Sequence, residues 1–130
     1  RGLGDVYKRQ VSSILGSVGL AVQVPEEKMD AITGLAGSSP AFIYQVIDAM
    51  ADAGVLNGIP RKDAITLAAQ SVLGAARMVL ETGKHPDQLK DEVCSPGGTT
   101  ITGCQVLEEM GFRAAAINAV QAATNKSREL

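Results

Sequence analysis

Arg61-Lys62-Asp63-Ala64-Ile65-Thr66-Leu67-Ala68-Ala69-Gln70-Ser71-Val72-Leu73-Gly74-Ala75-Ala76-Arg77-Met78-Val79-Leu80-Glu81-Thr82 is the longest helix-forming run in the chain. Pro60 suits the entry to a helix, Asp63 falls in its positively polarised first turn, and Gly83 supplies the stop. The apolar residues do not keep to one stripe but recur round most of the circumference. A helix of that kind is enclosed on all sides. A chain of 130 residues suggests one domain, with few neighbours to enclose it. A second subunit is therefore expected to supply part of the cover, with Gly74-Ala75-Ala76 letting another helix approach. The alternative is an ordinary central helix of a monomer.

Upstream, Asn57-Gly58 marks a helix end, since both residues tolerate left-handed angles. Before it, Phe42, Ile43, Val46, Ile47, Met50 and Ala53 form an apolar stripe on a helix over Pro40 to Leu56. Ser39 is placed to cap that helix, with Pro40 at its first position. Gly37-Ser38-Ser39 reads as a helix break with a cap, or else as a close approach of backbone to a partner or cofactor. Pro25, Glu26 and Glu27 suit the start of another helix running towards Leu35. Val11 to Gly19 has helical spacing and Leu20 to Val24 reads as a short strand, an isolated pair that looks like the last elements of something larger. Residues 1–10 hold three of the twelve basic residues but one of the fourteen acidic ones, and read as a non-native or disordered tail.

Downstream, a short helix is expected over Pro86 to Val93. Cys94-Ser95-Pro96-Gly97-Gly98-Thr99-Thr100-Ile101 follows. Pro96 fixes one φ angle, the two glycines let a ligand approach the backbone, and a helix from Ile101 to Met110 begins just after. A helix start presents unpaired N–H groups and partial positive charge. The segment reads as a backbone cradle for a small anion with two hydroxyls at its rim, or as a plain turn with a Thr cap. His85, the single histidine, reads as a first-turn surface residue rather than a catalytic one. Gly111 stops the helix, and a last one runs from Phe112 to about Lys126.

The net charge of -2, the absence of a basic block and the few aromatics argue against nucleic acid. No run of about 18 apolar residues suggests a membrane span. Cys94 and Cys104 lack zinc-site spacing, which leaves two free thiols in a reducing compartment as the expectation.

Four segments together resemble one family. Asp30-Ala31-Ile32-Thr33-Gly34-Leu35-Ala36-Gly37-Ser38-Ser39-Pro40-Ala41-Phe42 looks like the opening motif of the helical C-terminal domain of the pyrroline-5-carboxylate reductases. Gly74-Ala75-Ala76-Arg77-Met78 is similar to a mid-domain motif, Ser95-Pro96-Gly97-Gly98-Thr99-Thr100-Ile101 with the preceding His85 to Val93 resembles the active-site segment, and Phe112-Arg113-Ala114-Ala115 matches a further block.

The resemblance covers about Val11 to Leu130. It implies an all-α fold, a helical dimerisation domain of the 6-phosphogluconate-dehydrogenase C-terminal type over 25–130, preceded at 11–24 by a remnant helix and strand of an NAD(P)-binding Rossmann domain. The implied reaction reduces 1-pyrroline-5-carboxylate to L-proline, the last step of proline synthesis, with hydride from NADPH or NADH. The cofactor would be bound mainly by an N-terminal domain, because the fingerprint Gly-x-Gly-x-x-Gly does not occur in this chain. The chain is thus expected to be a fragment, inactive alone.

Carried over residue by residue, Ser95 and the N–H groups of Gly97 and Gly98 would hold the substrate carboxylate, with Pro96 shaping the loop. Thr100 would be the catalytic hydroxyl beside the ring nitrogen. Thr99 would line the pocket, Val93 would pack its wall, and Glu26 and Glu92 would approach the cofactor or the substrate. No metal is implied. A homodimer is expected, with a larger assembly such as a decamer beyond it, in the cytoplasm. A non-catalytic helical dimerisation module and the helical domain of another Rossmann dehydrogenase remain alternatives. A P-loop-type anion binder is opposed by the absence of a Lys-Ser/Thr pair after the glycines.

Overall fold

The computed structural model describes residues 24–130; the expected tail at 1–10, the helix over 11–19 and all but the last residue of the strand over 20–24 lie outside the described residues. In chain order, a 3-10 turn (Glu26–Lys28) leads into α1 (Met29–Ile32) and a π turn (Thr33–Gly37). These are followed by α2 (Ser39–Leu56), α3 (Arg61–Thr82), α4 (Pro86–Val93), α5 (Thr99–Glu109) and α6 (Phe112–Glu129). The described residues are all-α, as the sequence implies, and contain no strand. They divide into two compact units, one of residues up to 40 together with Ile117–Leu130, the other Ala41–Ala116.

In the first unit, the helix expected from Pro25 towards Leu35 is not uniform. It widens to π geometry, with the Ser38 N–H donating to Thr33 O at 2.8 Å and the Thr33 hydroxyl donating to Met29 O at 3.0 Å. Gly34, inside that turn, is buried against α6. A Cβ there would stand 2.2 Å from Thr124 Oγ1, 2.8 Å from the Val120 carbonyl and 2.9 Å from the Thr124 backbone nitrogen. One neighbour is a rotatable hydroxyl, but two are helix backbone and cannot step aside. The buried Thr124 hydroxyl donates to Val120 O at 2.8 Å, and the Ser127 hydroxyl donates to Asp30 Oδ1 at 2.7 Å. Gly34→Ala is therefore expected to destabilise the fold by about 3 kcal/mol, the upper end of the overpacking range. Adding Thr124→Ala should restore only part of the loss, because the backbone contacts persist. A urea titration of both variants checks this, and full recovery in the double variant would sink it.

In the second unit, α2 meets α3 through small side chains. Ala51, Ala64 and Ala68 are buried, and Gly54 sits so close to α3 that a Cβ there would be 3.0 Å from the Ala64 Cβ. Arg61 Nη1 donates to Asp52 Oδ1 at 2.6 Å across the same pair. α3 ends where expected, the Gly83 N–H donating to Val79 O with φ +68°.

Among the described residues the expected enclosure of α3 is not supplied. Leu67, Leu73 and Leu80 are 60%, 53% and 69% exposed, and no large side chain among the described residues is fully buried. The sequence has no unbroken run of about 18 apolar residues, yet one helix passes a looser test for a membrane span. α3 is long and apolar enough by length and composition alone, because its few charges lie near its ends. Core helices of soluble proteins pass the same test, and Gln70 and Ser71 interrupt its apolar surface midway.

Candidate functional site

α4 is capped by the residue before it. Asp87 N–H donates to His85 Nδ1 at 3.0 Å, and Pro86 occupies the first position, where its missing N–H is no loss. The one histidine is thus a helix cap.

Between α4 and α5, Ser95-Pro96-Gly97-Gly98 forms a β-turn closed by Gly98 N–H donating to Ser95 O at 3.1 Å. Pro96 holds the second position. Gly97 holds the third with φ +67°, an angle that any other residue would adopt under strain. Gly98 is extended (φ -82°, ψ 179°) and forms the N-cap of α5, contributing no side chain to cap it. Its carbonyl accepts from the Thr102 hydroxyl at 2.9 Å and the Thr102 N–H at 3.4 Å.

The turn leaves a defined set of donors. The Gly98 N–H, expected to hold an anion, is occupied inside the turn. Thr99 and Thr100 are the first two residues of α5, where N–H groups have no acceptor within the helix. Gly97, Thr99 and Thr100 are exposed, while Gly98 is partly covered. The Thr100 hydroxyl makes no hydrogen bond to another described residue, so it is not a cap. The Ser95 hydroxyl folds over the turn, and its Oγ would be 2.5 Å from a Cβ placed on Gly98.

Glu92, in the last turn of α4, is paired with Lys84 Nζ at 2.9 Å. Val93 is exposed and lines an apolar groove of about 380 Å³ between α3 and α4 with Ala75, Met78, Val79 and Leu89. Glu92 through Thr100 lie together in one unit, and Glu26 lies in the 3-10 turn of the other. Partial burial and a hydrogen bond shared with Cys104 push the Cys94 thiol up. Both cysteines are free, as expected.

One participant was missed in the sequence. Arg113, in the first turn of α6, donates from Nη2 to Asp87 Oδ1 at 3.1 Å and from Nε to Glu108 Oε1 at 2.5 Å. Its hydrogen bond and charge hold the Asp87 carboxyl below the usual range. A lone Arg at a helix start gives no sequence signal of a partner 26 residues away.

Residues 26–130 match the family model described as pyrroline-5-carboxylate reductase dimerisation. Among curated relatives, the pyrroline-5-carboxylate reductase of Methanosarcina acetivorans is 64% identical over 117 residues, which is 90% of this chain and 43% of that protein. That of Glycine max is 56% identical over 120 residues, or 92% and 44%. The chain spans less than half the length of these relatives. Among solved structures, a pyrroline carboxylate reductase of Plasmodium falciparum with NADP bound superposes with a TM-score of 0.83 at 38% identity, covering 94% of this chain and 49% of that one. The Streptococcus pyogenes 1-pyrroline-5-carboxylate reductase gives 0.84 at 39%, covering 94% and 47%.

Proposed function

Because the chain belongs to the pyrroline-5-carboxylate reductase dimerisation family, we propose that it is the helical, substrate-holding part of an enzyme that reduces 1-pyrroline-5-carboxylate to L-proline. The observation behind this reading is the Ser95–Gly98 turn opening onto the N-terminus of α5, with backbone donors beside a hydroxyl that has no partner among the described residues.

The N–H groups of Gly97, Thr99 and Thr100 suit a carboxylate, since a helix start is positively polarised and satisfies anions without a charged side chain. The Thr100 hydroxyl, free of any capping duty, is placed to accept from a ring iminium N–H or donate to an imine nitrogen. Holding the ring in that way presents its electrophilic carbon in a fixed orientation, which lowers the barrier by removing rotational freedom beforehand. Ser95, covering the turn, restricts where the carboxylate sits. A nicotinamide cofactor, NADPH or NADH, would supply the hydride when bound. No dinucleotide fingerprint is present to hold it here; Glu92, fixed by Lys84, and Glu26 are the residues of this chain proposed to approach it.

A second copy of the chain is proposed to cover the exposed apolar faces of α3 as a homodimer, which the family match supports. A decamer is the larger assembly proposed from these dimers. With two free thiols, a cytoplasmic setting is proposed.

Adding 1-pyrroline-5-carboxylate to the full-length protein with NADPH should oxidise the cofactor and release L-proline in equal amount. No oxidation would defeat the proposal. Gly98→Ala should raise the substrate KM roughly five- to tenfold, about the worth of one hydrogen bond, because its methyl displaces the Ser95 hydroxyl. The NADPH KM should stay near wild type, and an equal rise in both would argue against this placement of the carboxylate.

A further inference from the structure

α4 and α5 are joined at one end by the five-residue loop 94–98. At the other end the two helices are bridged by one guanidinium. Arg113 reaches Asp87 in the first turn of α4 through Nη2, and Glu108 in the last turn of α5 through Nε. The two helices and the loop therefore make a hairpin clipped at its mouth. Its closed end is held by the Ser95–Gly98 turn, while the Lys84–Glu92 pair ties the last turn of α4 back to the connection that precedes it. From Thr99 to Glu108 α5 rises about 14 Å, so Arg113 touches nothing in the loop.

We infer that Arg113 is a positioning residue: by fixing the mouth of the α4–α5 hairpin it sets the direction in which the Gly97, Thr99 and Thr100 N–H groups point. This rests on the proposed role of those groups in holding the substrate carboxylate. All three side chains of the clip are about half exposed. Ion pairs in such surroundings contribute little to stability, so a purely stabilising role has little to offer there. Geometry is another matter. The guanidinium uses two differently directed N–H groups on two helices, and a lysine ammonium cannot copy that fork.

In the full-length protein, Arg113→Met is expected to raise the substrate KM about threefold, in keeping with the little that two half-exposed ion pairs can bias and well below the ~10²-fold that a 1 Å misplacement can cost. The NADPH KM and the melting temperature should move little. Arg113→Lys should fall between wild type and Arg113→Met. Combining Arg113→Met with Glu108→Gln should be no worse than Arg113→Met alone, because both break the same clip. Should Arg113→Met fold poorly, Glu108→Gln by itself should still raise the substrate KM. An unchanged substrate KM, or an equal rise in both KM values with a lowered melting temperature, would overturn the inference. Amide NMR separates it from the functional reading. If the wild-type protein fails to oxidise NADPH, the functional reading is wrong. In Arg113→Met the Gly97 and Thr99 amide resonances should shift in either case, and unshifted resonances would refute the positioning role alone.

Discussion

Thr100→Ala in the full-length protein is expected to lower kcat by about 30- to 1000-fold and to leave the melting temperature nearly unchanged. One hydrogen bond lost from a group whose charge changes in the transition state costs about 2–4 kcal/mol in a dry site. A threonine at the N-cap position would also cap the helix, and a lost cap costs about 1 kcal/mol of stability. Here that second effect should be absent. The N-cap of α5 is Gly98, the hydroxyl bonded to its carbonyl belongs to Thr102, and the Thr100 hydroxyl has no partner among the described residues. Thr102→Ala is the matching control, expected to leave kcat near wild type. Steady-state kinetics and a thermal melt read the two effects apart. A Thr100→Ala protein with wild-type turnover would remove the hydroxyl from the reaction.

The second large effect is expected from charge placed on α3. Leu73 and Leu80 lie seven residues apart, on one face with Ala69 and Ala76, and both leucines are exposed in the single chain. On a second face Leu67 and Met78 are exposed as well. Two apolar faces on one helix are more than a monomer leaves to water without a partner. Leu73→Asp combined with Leu80→Asp should convert an oligomer into single chains at micromolar concentration and sharply lower the melting temperature. A desolvated, unpaired carboxylate costs several kcal/mol, and the pair faces that cost only in the assembled form. Light scattering gives the mass directly. An unchanged oligomer would place the interface elsewhere.

Much of this organisation is legible in local sequence. Gly83 and Gly111 stop helices where expected, and Pro86 starts one. These are short-range effects of missing donors and of positive φ. The Ser95–Gly98 turn and the helix start after it are legible for the same reason, since Pro-Gly-Gly ahead of two threonines is a local instruction. The exceptions come from distance. The π turn at Thr33–Gly37 accompanies the packing of Gly34 onto Thr124, 90 residues on, which no local pattern encodes. The occupied Gly98 N–H depends on how the turn closes, and a sequence of permissive residues leaves that open. α6 runs on to Glu129 instead of stopping near Lys126, supported by Lys126 pairing with Glu129 at 3.4 Å. The Arg113 clip joins three helices, each of which looks ordinary alone.

A crystal structure of the full-length protein with L-proline and oxidised cofactor bound tests the site assignment most directly. The proline carboxylate is expected on the N–H groups of Gly97, Thr99 and Thr100, with the Thr100 hydroxyl at the ring nitrogen and the Gly98 N–H still donating to Ser95 O. A carboxylate held instead by an arginine or lysine side chain away from the α4–α5 turn would contradict it.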